Sequence, residues 1–353
     1  MIKVFDLFSG IGGFRLAAQK SFKRNNIPFS FIGWCEQDKY CQITYKSNFN
    51  TTDEVFIEDI KDVTSAKLEI CNEKNYKDTK RINQIRNLIP KFDLLFAGFP
   101  CQSFSQMGNQ KSLNDNRGAL FFDIASIMAA IKPNYFILEN VNRILTIDNK
   151  STIKTIKKII EDLGYHIDIF QLDSKDYGVP QTRRRAFIYG YKKNLNIKFP
   201  LSPPPKKKLK KTTLDILDKD VDQKYILSPK ILKTILSHGT GGFYQKSEID
   251  LKIARPLTKT MVKMHRANQD NYFSNVFING DKKRKWVRKL TPIEAFKLQG
   301  FPGYFVSKAR SNGVSDTQLY MQAGNAVTVN TVESILNLLI ECNWFNSNEN
   351  SRP

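Results

Sequence analysis

Across the first 191 residues, short apolar runs that read as strands alternate with stretches of helical periodicity. Residues 3–8, 29–35, 93–97, 135–139 and 186–191 read as strands, and residues 13–22, 39–48, 119–131 and 152–163 as helices. Strands separated by helices need crossover connections, which predicts a doubly wound, mostly parallel α/β sheet covered on both faces. Pro133 and Gly164 stand where the two later helices should stop. In such a sheet, ligands and chemistry collect at the carboxyl edge of the strands.

The alternation ends at Phe199-Pro-Leu-Ser-Pro-Pro-Pro-Lys-Lys-Lys-Leu-Lys-Lys211, where proline stiffens the chain and the lysine cluster resists packing. Residues from about 212 to 285 look irregular and polar, and they close on the basic cluster Lys282-Lys-Arg-Lys285. Regular structure resumes over residues 288–298, where Thr291 suits a helix N-cap, Pro292 the first helical position and Glu294 a capping box. A last helix over residues 327–339 has an apolar face that should return to the first domain. No internal repeat is visible.

Lys and Arg number 55 against 34 Asp and Glu, a net charge of +21. Such an excess favours polyanions through phosphate neutralisation, with a merely solvated basic surface as the alternative. The five cysteines form no Cys-x-x-Cys pair and the three histidines are scattered, so neither a zinc site nor a disulfide framework is expected. The N-terminus lacks a signal-peptide layout and no apolar run would span a bilayer. These features read as a protein of a reducing, cytoplasmic compartment with no membrane partner.

Two groups of residues carry chemistry. Asp6-Leu-Phe-Ser-Gly-Ile-Gly-Gly-Phe-Arg15 leaves the first strand through glycines that let the backbone turn sharply against a ligand. The second strand ends at Glu36, an acid placed to take both hydroxyls of a ribose, and Asp59-Ile60 could bracket an adenine. A dinucleotide and S-adenosylmethionine both fit, although the glycine spacing departs from Gly-x-Gly-x-x-Gly. At the other end, Cys101 follows an apolar strand and a Phe-Pro pair, a setting for a nucleophile or for a buried core thiol. Glu139 should lie near it on the same sheet edge. Arg183 and Arg185 alternate along a further strand and could bind a phosphate or a carbonyl oxygen.

Taken together the chain resembles the DNA cytosine-5 methyltransferases of bacterial restriction–modification systems. The resemblance rests on Asp6–Phe14, Glu36 with Asp38, Asp59-Ile60, Gly98-Phe-Pro-Cys-Gln-Ser-Phe-Ser105, Arg117-Gly-Ala-Leu-Phe-Phe122, Glu139-Asn-Val141, Gln181–Arg185, Arg288–Pro302 and Gln322-Ala-Gly-Asn-Ala-Val327, in the family's order. It implies a catalytic and cofactor-binding domain at 1–198, a smaller irregular target-recognition domain at 199–317, and a segment at 318–353 returning to the first.

The chemistry it implies begins with addition of Cys101 to C6 of a flipped-out cytosine, with Glu139 at N3. The enamine then takes the methyl group of S-adenosyl-L-methionine, and loss of the C5 proton frees Cys101. Arg185 would hold the cytosine O2, Arg183 would support the pocket or a phosphate, and the Phe99 carbonyl would read the exocyclic amine. For the cofactor, Phe14 and Ile60 would stack on adenine, Glu36 would take the ribose and Asp59 the adenine amine. Asp6, Phe8, Ser9, Gly10, Gly12, Gly13, Pro100, Leu120, Asn325 and Ala326 would complete the pocket. Gln37 stands where relatives often have an aromatic.

Double-stranded DNA is the implied partner, and the nucleoid the implied place of work. Gln102, Ser103 and Ser105 would lie on a polar loop against DNA. Arg255, Thr258, Thr260, Lys263, His265 and Arg266 are the candidates for contact with bases or phosphates. A monomer suffices for one duplex, and a cognate restriction endonuclease would act on the same site without a stable complex. A C5 methyltransferase of structured RNA, a nicotinamide oxidoreductase and a DNA-binding regulator are the competing readings.

Overall fold

The computed structural model describes residues 1–65, 68–100, 120–239 and 244–345. Its centre is a seven-stranded sheet built from β1 (Ile2–Leu7), β2 (Phe29–Cys35), β3 (Val55–Ile57), β4 (Leu94–Gly98), β5 (Tyr135–Val141), β6 (Tyr165–Asp173) and β7 (Arg184–Lys192). The strand order is β3-β2-β1-β4-β5-β7-β6. Strands β1 to β5 run parallel, whereas β7 is antiparallel to both β5 and β6. The order reverses between β1 and β4, so a crevice opens there at the carboxyl edge. Because β7 is reversed, its first residues arrive at that same edge.

Strand alternation sends neighbouring side chains to opposite faces. Val4, Phe96 and Ile137 pack with α1 (Gly13–Arg24) and α2 (Lys39–Asn48). Phe5, Leu95 and Phe136 pack with α3 (Ile60–Thr64), α4 (Thr79–Leu88), α5 (Leu120–Ile131) and α6 (Ser151–Asp162). Helix α2 begins where expected because the Asp38 carboxylate accepts from the Tyr40 and Cys41 amides. Strand β6 was not apparent in the sequence. It lies at the sheet edge, where His166, Asp168 and Gln171 interrupt the apolar pattern.

The irregular module contains α7 (Pro229–Leu236), β8 (Tyr272–Ser274), α8 (Asn275–Asn279) and β9 (Val287–Lys289). Its small core joins Leu227, Ile235, Ala267, Tyr272 and Val287. Beyond it, α9 (Pro292–Leu298) starts on the expected Thr291–Glu294 capping box. Helices α9 and α10 (Tyr304–Ser311) bury Phe296 and Phe305 in the main core, which also takes in Leu257, Phe273 and Ile278. Helix α11 (Asp316–Asn325) follows, and α12 (Val329–Glu341) returns to pack on α1 as expected, with Ser21 donating to Asn337 at 2.6 Å.

Candidate active site

One open cavity of about 1700 Å³, mouth included, occupies the crevice. Its floor is the β1–α1 turn. Phe8, Gly10 and Gly12 take left-handed conformations, with φ of 54°, 54° and 84°. For Phe8 that conformation carries strain, of the kind that persists where surrounding structure holds a site in shape. A side chain at Gly10 would meet nothing within 4 Å, so the cavity comes down to bare backbone there. Phe8, Ser9, Gly10, Gly13 and Phe14 all line it.

Two expected floor residues stand behind the wall. Asp6 is wholly buried on the α1 face of β1, and burial pushes its carboxyl well up despite Arg15. Gly12 is a packing glycine, since a Cβ there would come within 2.3 Å of the Phe49 ring. Phe14 reaches the cavity, but its ring is stacked on Phe96 at 4.9 Å and lies near Gly98, at the reaction end. It is therefore not placed as the adenine platform.

At the far end Glu36 is half-buried. Its Oε2 accepts from the Gly10 amide and its Oε1 from the Asp38 amide, both at 2.8 Å. Burial raises its pKa and these amides pull it back. Asp59 caps α3 through the Lys61 amide and accepts from Gln37 Nε2 at 3.0 Å. Ile60 and Leu120 complete that wall.

At the near end β4 and β5 finish side by side, with Gly98 opposite Glu139. Arg185 Nε sits 2.9 Å from Glu139 Oε1. Burial raises the Glu139 pKa, opposed by Arg185 and then Arg183. Arg183 is wholly enclosed. It donates to the carbonyls of Leu257, Gly324 and Ala326 at 2.9, 3.0 and 2.9 Å. Burial, with Arg185 alongside, brings its pKa down to about 9. These bonds brace the wall, while its buried Nε has no partner among the described residues. Pro100 lines the cavity. Cys101, Gln102, Ser103 and Ser105 lie outside the described residues.

Residues 2–341 match the C-5 cytosine-specific DNA methylase family. The chain belongs to that family. This methylase is 33% identical over 350 residues to the Type II methyltransferase M1.ScrFI of Lactococcus lactis subsp. cremoris, covering 96% of this chain and 78% of the relative. It is 34% identical to the Type II methyltransferase M.HpaII of Haemophilus parainfluenzae, covering 95% and 88%. A DNMT2 structure from Spodoptera frugiperda shares the fold at 20% identity, with a TM-score of 0.70 over 96% of this chain and 100% of that one. The protein is thus a DNA cytosine-5 methyltransferase.

In the methylase the expected recognition segment docks beside this site. Gln181 Oε1 accepts from the Leu257 amide at 2.9 Å while Arg183 takes the Leu257 carbonyl, so one residue is held from both sides. Thr258 and Thr260 face each other at 3.3 Å between hydroxyls. Lys263 is exposed, and Arg266 half-exposed. Arg255 Nε donates to the Asn268 carbonyl at 3.0 Å, and His265 Nδ1 lies 3.0 Å from Asp270 Oδ2. Gln322 and Asn140, which stand in the quoted motifs without an assigned role, line the cavity, and so does Lys259, which was missed. No local pattern marks Lys259, which is placed by the docking of a distant segment. Among the described residues, no helix is long and apolar enough to cross a membrane.

The cavity suits S-adenosyl-L-methionine. Glu36 offers a carboxylate already oriented by two amides. Ser9 Oγ and Gln322 Nε2 are buried wall atoms with no protein partner among the described residues, and both residues line the cavity. Buried polar atoms without partners are costly, which points to a polar ligand.

Proposed function

We propose that the enzyme methylates C5 of a cytosine flipped out of a specific double-stranded DNA sequence, as the modification member of a restriction–modification system. The observation that carries this reading is the continuity of one cavity from Glu36 and Asp59 to the Glu139–Arg185 pair and Pro100, the residue before Cys101. Relatives named Type II methyltransferases support the biological setting.

S-adenosyl-L-methionine, bound there, supplies an electrophilic methyl group. Glu36 would hold its ribose, Asp59 the adenine amine, and Ser9, Gln322 and Asn325 its amino-acid end. Phe8 and Ile60 would bracket the adenine. On the substrate side Cys101 adds through sulfur to C6, which makes C5 nucleophilic. Glu139 holds a proton at N3 while Arg185 neutralises charge at O2. Arg183 keeps both partners in place by bracing the wall. A base inside a duplex cannot reach this cavity, so flipping is required. One duplex needs one chain, and residues near 212–291 would form the recognition module.

Calorimetric titration with S-adenosyl-L-methionine, paired with transfer of labelled methyl groups to duplex DNA, tests the reading. Glu36→Ala should weaken cofactor binding by about tenfold or more, from loss of a charged hydrogen-bond partner. Unchanged binding would remove the ribose assignment.

A further inference from the structure

We infer that Asn140 is a positioning residue that fixes the Phe99 carbonyl, and so sets the choice of cytosine over uracil. This rests on the cytosine reading above and names the group behind its base selection.

The last Cα pair of the β4–β5 ladder is Gly98 with Glu139. One residue further, a side chain joins the two strand ends. Asn140 Nδ2 donates to the Phe99 carbonyl at 2.9 Å, and Asn140 Oδ1 accepts from the Val141 amide at 2.8 Å. The amide therefore grips its own strand with one atom and the neighbouring strand with the other. Asn140 is 1% exposed and Phe99 3% exposed, so little water is available to replace either bond.

The alternation of β5 explains the arrangement. Glu139 and Asn140 are adjacent, so they leave the strand toward opposite faces. Glu139 meets Arg185 on one side, and Asn140 reaches Phe99, whose ring packs in the core of the other face. Both residues border the same cavity, together with Phe99 and Pro100. One dipeptide thus presents the acid and anchors the carbonyl opposite it. A carbonyl oxygen has a second lone pair, which remains for a ligand donor.

Cytosine presents an amine where uracil presents a carbonyl. A fixed carbonyl accepts from the first and repels the second. A carbonyl free to rotate away loses both effects, and with them the discrimination. The anchor also holds the backbone two residues before Cys101.

The test uses the intact protein with S-adenosylhomocysteine and two duplexes differing only in cytosine or uracil at the target position. Binding is measured for the wild type, Asn140→Ala and Asn140→Asp. Asp keeps the acceptor for Val141 but sets a carboxylate oxygen against the Phe99 carbonyl, and it preserves side-chain volume should Ala prevent folding. The same duplexes are used throughout, so the mismatch contribution cancels. Loss of the anchor should reduce the cytosine-to-uracil affinity ratio by about tenfold, the worth of one buried hydrogen bond. Proportional weakening on both duplexes, or an unchanged ratio, would overturn the positioning role. Absence of cytosine methylation by the wild type would instead overturn the function on which it rests.

Discussion

Arg185 Nε lies 2.9 Å from Glu139 Oε1, and this pair joins the start of β7 to the end of β5. Burial raises the Glu139 pKa, and Arg185 is the largest influence holding it down. If Glu139 carries the proton at N3, activity must fall as pH rises through its pKa. Arg185→Met removes the main lowering influence, so that limb of the kcat profile should move to higher pH. The maximum should also drop by about 100-fold, the usual loss for one preorganised donor. A limb that stays put, or moves to lower pH, would contradict the pairing.

Gly324 supports the docked segment at Thr258 and Lys259 by lacking a side chain. A Cβ there would stand 2.2 Å from the Thr258 carbonyl carbon and 2.3 Å from the Lys259 nitrogen. These are backbone atoms and cannot swing aside. Gly324→Ala should displace the segment at a cost of about 1–3 kcal/mol, lowering kcat/KM for DNA about tenfold. Steady-state kinetics with wild-type values would show that the segment can shift freely.

Asp123 offers a test confined to stability. It is wholly buried on α5, and Thr64 Oγ1 donates to its Oδ1 at 2.6 Å. Its Oδ2 has no partner among the described residues. Burial pushes its pKa from 3.8 up to about 6, against the Thr64 bond, Lys61 and Arg81. The folded protein therefore keeps a proton that the unfolded chain releases between these values. Stability should fall as pH rises through that window, by about 3 kcal/mol from this group, and level off above it. In urea unfolding at pH 4 to 7, Asp123→Asn should lack that part of the slope. An identical slope in both proteins would refute the assignment.

Much of the fold was legible because its helices and strands have their own periodicity and caps. Asp38 and the Thr291–Glu294 box mark helix starts through local bonds that sequence displays directly. Strand β6 was hidden by its polar edge residues, and α4 by its charge. The site was legible as a set of residue types, while their facing was not. Phe14 looked like an adenine platform, yet its ring is stacked on Phe96, and Arg183 looked like a ligand fork, yet its terminal nitrogens serve three carbonyls. Such commitments depend on residues far away in the chain, as with Leu257 and Gly324, and no local spacing reveals them.

The central claim is that Cys101 makes this protein a sequence-specific cytosine-5 methylase. Bisulfite sequencing of DNA from cells expressing the wild type or Cys101→Ser measures this directly. Protected cytosines are expected at one recurrent sequence with the wild type and none with the variant. Protection that persists in Cys101→Ser, or no protected cytosine with an expressed and folded wild type, would contradict that claim.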